Sequence, residues 1–92
     1  MNEAMPDALT CPCCGFMTIF DECDICPICR WQHDHYQMDH PDDTDGPNRV
    51  SLRESQRNFA RLGRGGDPPT VGGRRPTARD RRDPAWAPLE AD

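Results

Sequence analysis

Two short cysteine motifs carry the clearest chemistry in this sequence. Residues 11–15 read Cys-Pro-Cys-Cys-Gly and residues 26–30 read Cys-Pro-Ile-Cys-Arg, so both contain the pattern C-P-x-C. We call them the first and second knuckle. Each can turn two sulfur atoms inward on one tight loop, and together they supply the four thiolates that structural Zn²⁺ prefers. The pattern predicts one structural zinc ion, with the ligands Cys11, Cys14, Cys26 and Cys29.

Other side chains leave alternative ligand sets open. Cys13 lies between two predicted ligands, and Cys23 lies in the segment between the knuckles. His33 and His35 flank Asp34, and imidazole and carboxylate are both metal ligands, so a second site is an alternative to a polar loop. We favour spare thiols and a polar loop. The alternative metal ligands are Cys13, Cys23, His33 and His35. Whether His40 would join His33 and His35 in a second site stays open.

A site of four thiolates has no obvious catalytic use. Its tetrahedral shell is complete, which leaves no position for water or substrate. We therefore predict a protein that is not an enzyme. The alternative is an enzyme with a thiol or hydrolytic activity that uses the extra cysteines or the histidines.

Composition explains why a metal is needed. The chain has 92 residues, of which 35% are hydrophobic, with 10 Pro and 6 Cys. An average globular protein is roughly 45–50% apolar. A chain this small and polar buries too little apolar surface to fold unaided, so metal binding must supply folding free energy. This composition also excludes a large catalytic fold and a membrane span.

The surrounding pattern predicts a small metal-stabilised α+β fold. Residues 16–20 have strand character, residues 21–24 form a turn, and a return strand runs into Ile25, which gives a zinc-ribbon-like β-hairpin. A helix over residues 51–62 begins with a Ser-x-x-Glu capping box and ends before Gly63. Its apolar stripe consists of Leu52, Phe59 and Leu62.

The chain divides into three segments by composition. Residues 1–9 are a loose leader, and residues 10–62 form the cysteine-rich domain. Residues 63–92 contain 5 Gly, 5 Pro and 6 Arg, and we predict a disordered tail there. The start of the chain has no basic and apolar leader, which predicts a cytoplasmic protein with reduced thiols.

Charge is distributed unevenly. Residues 1–48 carry 10 acidic groups and one Arg, and residues 49–92 carry 10 Arg and 6 acidic groups. Four arginines recur every fourth position from just before the predicted helix to its last turn, and we call them the arginine ridge. Its members are Arg49, Arg53, Arg57 and Arg61. They could contact phosphate or a partner. The simpler interpretation is a solvated face paired with the segment just before the helix, residues 41–48, which we call the acidic loop.

The order of these motifs resembles the cysteine-rich CPCC family of small bacterial proteins. The residues that carry the resemblance lie within residues 10–63. They are residues 11–15, residues 25–29 with Trp31, residues 46–54 and Asn58-Phe59. The resemblance implies a zinc-binding module and supplies no reaction. We expect a structural-zinc module that binds a protein partner of unknown identity. The alternative is a nucleic-acid-binding accessory protein that uses the arginine ridge and the basic tail.

Overall fold

The first knuckle forms the bend of a small antiparallel hairpin. The computed structural model describes residues 8–62 and 73–89. Strand β1 (Leu9–Thr10) pairs with β2 (Met17–Ile19), and Thr10 lies opposite Met17. The strand predicted at residues 16–20 is therefore present, but the pairing is not the predicted one, because its partner is β1 and not the segment before Cys26. The physical reason is that the knuckle itself reverses the chain.

The two knuckles close with the same hydrogen bonds. In the first, the Gly15 amide donates to the Cys11 carbonyl at 2.8 Å, and the Cys11 amide donates to the carbonyl of Phe16 at 2.8 Å. In the second, the Arg30 amide donates to the Cys26 carbonyl at 2.9 Å, and the Cys26 amide donates to the carbonyl of residue 31 at 2.9 Å. The repeated sequence thus gives a repeated turn, and an isolated bridge between residues 25 and 32 extends the second one.

The predicted turn at residues 21–24 joins the two knuckle hairpins. The Asp24 carboxylate accepts hydrogen bonds from the amides of Phe20 at 2.9 Å and Asp21 at 3.0 Å. The Asp24 amide donates to the carbonyl of Asp21 at 3.1 Å. An aspartate that bonds its own turn in this way satisfies backbone groups that neither hairpin can satisfy.

A short helix replaces the polar loop that we predicted after Trp31. Helix α1 spans His35–Asp39, and Asp34 is its N-cap, with its side chain accepting from the amide of Gln37 at 2.9 Å. Asp34 is therefore a capping residue, which is the usual use of an aspartate at this position. The loop prediction was wrong because this capping signal was not recognised.

Helix α2 spans Leu52–Leu62, as predicted. The Ser51 hydroxyl accepts from the amide of Glu54 at 3.1 Å, which confirms the start of the capping box. Leu52 and Phe59 are buried, and the side chain of Leu62 lies outside the described part of the chain.

The core is small and centred on the knuckles. Trp31 is its largest buried side chain, with Ile19 and Ile28 also fully buried beside the cysteines. Phe16 and Trp31 occupy the same position, directly after each knuckle, so each turn contributes one aromatic ring to the core. In the described ranges, neither helix has the length and apolar character that crossing a membrane would require.

Much of the predicted disordered tail packs against the first hairpin. The amide of Met17 donates to the carbonyl of Arg81 at 2.8 Å, and the amide of Asp83 donates to the carbonyl of Gly15 at 2.8 Å. The Trp86 indole N–H donates to the carbonyl of Pro12 at 3.0 Å. Residues 73–89 thus differ from the prediction of disorder. The rest of the predicted tail and residues 1–7 of the predicted leader lie outside the described residues.

Candidate metal centre

The four predicted ligand thiols lie together in the core. Cys11, Cys14, Cys26 and Cys29 are all fully buried, and their sulfur atoms lie within 4.8 Å of one another. The Cys11 and Cys29 sulfurs are 3.5 Å apart, and those of Cys14 and Cys26 are 3.8 Å apart. A tetrahedral ion with metal–sulfur bonds of about 2.3 Å requires sulfurs about 3.8 Å apart. The cluster could therefore hold a metal ion.

The pKa values of these thiols show the electrostatic problem of the cluster. Hydrogen bonding with Cys14 raises the pKa of Cys11, and hydrogen bonding with Cys11 raises the pKa of Cys29. The pKa of Cys26 is lowered because it accepts a hydrogen bond from Cys11. Buried thiols crowded in this way cannot all ionise without a compensating cation, because each additional thiolate repels the others at low local dielectric constant.

A hydroxyl supports the cluster from outside. The Thr18 hydroxyl on β2 donates to the Cys26 sulfur at 3.0 Å. This contact joins the first hairpin to the second knuckle and lowers the pKa of Cys26, although less than the neighbouring thiols do. Hydrogen bonds from outside the ligand set commonly orient metal ligands in this way.

The two extra cysteines lie outside this group of four. The Cys13 sulfur is 3.0 Å from the hydroxyl of Ser55, so it connects the first knuckle to α2. Cys23 is exposed and has a φ of 70°, which places it in the left-handed region at the turn. Neither thiol therefore belongs to the group of four, although Cys13 lies close enough to Cys29 to raise the pKa of that thiol by hydrogen bonding.

The histidines do not form the arrangement that the sequence suggested. His33 and His35 lie close together, but the carboxylate beside them belongs to Glu22 and not to Asp34. His40 instead stacks on Tyr36, with ring centroids 4.2 Å apart. The sequence did not predict Glu22 as a neighbour of these histidines because it lies eleven positions before His33. The chain reversal at the second knuckle is the feature that could have indicated this contact.

The arginine ridge is largely engaged within the molecule. The Arg53 Nε atom lies 2.6 Å from an Asp42 carboxylate oxygen in the acidic loop, and this arginine lowers the pKa of Asp42. Arg61 donates to the side-chain oxygen of Asn58 at 3.0 Å. Arg57 lies 3.6 Å from Glu54, whereas Arg49 is exposed. The Arg53 pair agrees with a ridge that faces the acidic loop.

Fold and site together define a small α+β protein with a buried four-cysteine cluster suited to a metal ion. The chain matches the family described as cysteine-rich CPCC over residues 9–80. It therefore belongs to the cysteine-rich CPCC family, as the motifs predicted. The match extends past residue 63, where our sequence-based resemblance ended. The chain has no significant match among curated proteins or among solved structures.

Proposed function

We propose that this protein is a structural-zinc module of the zinc-ribbon kind that serves as a binding domain for another protein. The observation that carries the proposal is the group of four buried thiols with sulfur separations of 3.5 and 3.8 Å. Thiolate ligands and tetrahedral spacing favour Zn²⁺ over the oxygen-seeking cations Mg²⁺ and Ca²⁺. Cys11, Cys14, Cys26 and Cys29 would hold the ion, and each pair comes from one knuckle.

The role of the zinc ion is to stabilise the fold. Four thiolates complete its coordination, so we propose no reaction at this site. The ion would offset half of the charge of the four buried thiolates and connect the two knuckle hairpins, which provide most of the core. Binding free energy at a site that forms only in the folded chain is folding free energy.

Exposed apolar side chains support the binding role. Several large ones occur between residues 9 and 25, which include the first hairpin and the turn that follows it. They are Leu9, Met17, Phe20 and Ile25, with exposed fractions of 36–48%. Apolar side chains that a small core leaves in solvent are candidates for contact with another protein.

Native mass spectrometry with metal analysis tests the zinc site. We expect tightly held zinc in the purified protein, lost together with the folded structure on chelation. Cys26→Ser should lose this ion, because it removes a buried ligand. Cys23→Ser is the matched control, since Cys23 is exposed and lies outside the four-thiol group, and it should keep the ion. Iron in place of zinc, or loss of the ion in both variants, would contradict the proposal.

Affinity capture tests the binding role. We expect wild-type protein to retain one stoichiometric protein partner that Phe20→Ser weakens, because Phe20 is 48% exposed beside the first hairpin. Leu89→Ser is the control, since Leu89 is similarly exposed at 43% on another segment. Equal capture by both variants would contradict the proposed surface. Salt-sensitive binding of nucleic acid in a gel shift, without any captured protein, would favour the nucleic-acid alternative.

A further inference from the structure

We propose that Glu22, His33 and His35 form a second metal site, which binds a divalent transition metal and keeps a coordination position open to solvent. One ligand atom from each side chain lies within 4.8 Å of the other two. This site shares no ligand with the four-cysteine cluster and does not depend on the function proposed above.

The second knuckle hairpin brings the three side chains together. The amide of His33 donates to the carbonyl of Asp24 at 2.8 Å, and the amide of Cys23 donates to the carbonyl of His33 at 3.1 Å. These two bonds hold the residue after Glu22 against His33. His35 follows two positions later as the first residue of α1. The backbone therefore fixes the relative positions of all three residues.

The side-chain geometry suits a small cation. The Nε2 atom of His35 lies 2.9 Å from a carboxylate oxygen of Glu22, and the rings of His33 and His35 meet edge to face with centroids 5.7 Å apart. Zinc takes imidazole and carboxylate ligands at about 2.0–2.2 Å, so ligand atoms separated by roughly 3–4 Å can share one ion. The side chains of His35 and Glu22 are 70% and 53% exposed, which lets both adjust to an ion.

His33 supplies the observation that points to a ligand. Its side chain is only 4% exposed, and its buried Nδ1 atom has no hydrogen-bond partner in the part of the chain that the structure describes. A buried imidazole normally has a partner that fixes its tautomer. The buried ring of His33 therefore has an unused polar atom, and a metal ion bound by a ring nitrogen of this side chain would give it a partner.

Nearby carboxylates are already in use, which leaves Glu22 as the acidic ligand. The Asp24 carboxylate bonds the amides of Phe20 and Asp21, and the Asp34 carboxylate caps α1. Both still add negative charge close to the site. This charge favours a cation.

The ligand set defines the chemistry. Two imidazoles and one carboxylate provide three ligands, so a fourth position would hold water or an exchangeable group. Zn²⁺, Co²⁺ and Ni²⁺ all accept this ligand set, whereas Mg²⁺ and Ca²⁺ prefer oxygen. The site is therefore suited to a metal that binds and leaves, in contrast to the closed and buried thiol site.

A zinc titration of the full chain, followed by native mass spectrometry, tests the second site. We expect wild-type protein that already holds its cysteine-bound ion to take up one more zinc. His35→Ala and Glu22→Gln should each weaken this second uptake by at least about tenfold, because each removes one of three protein ligands. Both positions are exposed, so neither variant is expected to unfold the core.

His40→Ala is the matched control, since His40 contacts Tyr36 and lies outside the three-residue group. It should retain the second zinc, and in NMR spectra the rings of His33 and His35 should shift on titration while that of His40 does not. Uptake of no second zinc, or unchanged uptake by His35→Ala, would overturn the proposal. Loss of the first, tightly held ion would instead contradict the structural-zinc function.

Discussion

The last residue of each knuckle adopts a left-handed backbone. Gly15 follows the first knuckle cysteine pair with a φ of 82°, and Arg30 follows the second with a φ of 68°. Both residues donate an amide to the carbonyl at the start of their knuckle, so the turn requires this conformation. Glycine adopts it without cost, whereas a residue with a Cβ atom is strained there. The second knuckle therefore carries strain that the first avoids.

Arg30→Gly should stabilise the zinc-loaded protein by about 1 kcal/mol, because it removes the left-handed strain at a position where Arg30 is exposed. Urea denaturation checks the free energy of unfolding. The control is Gly15→Ala, which should destabilise the protein, since a Cβ there would lie 2.5 Å from the Trp86 ring and φ is positive. Equal or lower stability of Arg30→Gly would refute strain at the second knuckle.

At the scale of elements, one buried glutamine organises the acidic loop between α1 and α2. Gln37 is fully buried, and its side-chain amide donates to the carbonyls of Asp43 at 3.1 Å and Val50 at 3.2 Å. Its side-chain oxygen accepts from the backbone and side chain of Asn48. Asn48 in turn bonds the amide and the carbonyl of Gln32, both at 2.8 Å. The loop is thus attached to the second knuckle hairpin through two side-chain amides.

Gln37→Leu should destabilise the protein by about 2–3 kcal/mol, because the change keeps the approximate volume but leaves several buried polar groups without partners. Thermal unfolding of the zinc-loaded protein measures this loss. Gln32→Leu serves as the control. Asn48 hydrogen-bonds the backbone of residue 32 and not its side chain, so this change should reduce the free energy of unfolding much less. Similar losses in both variants would show that the hydrogen bonds of the Gln37 side chain do not stabilise the fold.

More of the candidate metal site than of the fold could be predicted from the sequence. The four predicted thiols come together because C-P-x-C spacing is a local property, and the capping box placed α2 correctly for the same reason. The partner of β2 was missed because strand pairing depends on where the chain reverses. Glu22 and Gln37 were missed because their contacts join segments that no local pattern connects.

An ion pair inside residues 73–80 gives this segment a pH dependence. Arg74 lies 2.9 Å from the Asp80 carboxylate, which also accepts from the amide of Thr77 at 2.7 Å. The hydrogen bond from Arg74 is the main reason that the pKa of Asp80 is lowered from 3.8 to about 2. A lowered pKa means that the ionised form stabilises the folded segment. This stabilisation is complete above the unfolded pKa and is lost as the pH falls through about 2.

Asp80→Asn should therefore reduce stability at neutral pH, and the difference from wild type should shrink as the pH falls from about 4 towards about 2. Denaturation of both proteins measures the difference at each pH at which both are still folded and metal-loaded, because acid also releases a thiolate-bound metal on which the fold depends. An Asp80 carboxyl resonance that stays unshifted in NMR spectra at the lowest of these pH values, where an ordinary aspartate has begun to protonate, reports the lowered pKa directly. A difference that stays constant with pH would exclude ionisation of Asp80 as its source.

At the scale of the whole molecule, the arginine-rich half folds back on the acidic half. The Arg82 guanidinium lies between two aromatic rings, 5.1 Å from the centroid of Phe16 and 5.0 Å from that of Trp86. Arg82 also donates to the carbonyl of Cys14 at 3.0 Å, and the hydroxyl of Thr10 donates to the carboxylate of Asp83 at 2.6 Å. An isolated bridge pairs Arg82 with Phe16. Residues 81–83 therefore lie beside the two short strands of the hairpin as a third paired segment.

The Trp86 side chain packs residues 81–89 against the first hairpin. Its removal tests whether this contact stabilises the fold. Its ring lies over Gly15, and its N–H and the side-chain amide of Gln56 on α2 both donate to the carbonyl of Pro12. Trp86→Ala should lower the free energy of unfolding of the zinc-loaded protein by about 1–3 kcal/mol, through lost apolar burial and a lost hydrogen bond.

Leu89→Ala is the control for this change. Leu89 is 43% exposed and contributes its backbone amide to Gln56 at 2.8 Å, a bond that alanine preserves, so its stability should stay close to wild type. Chemical denaturation followed by far-ultraviolet circular dichroism, which does not depend on how many of the two tryptophans a variant keeps, gives the comparison directly. If Trp86→Ala also matched wild type, the Trp86 ring and its hydrogen bond to Pro12 would add nothing to the stability of the domain.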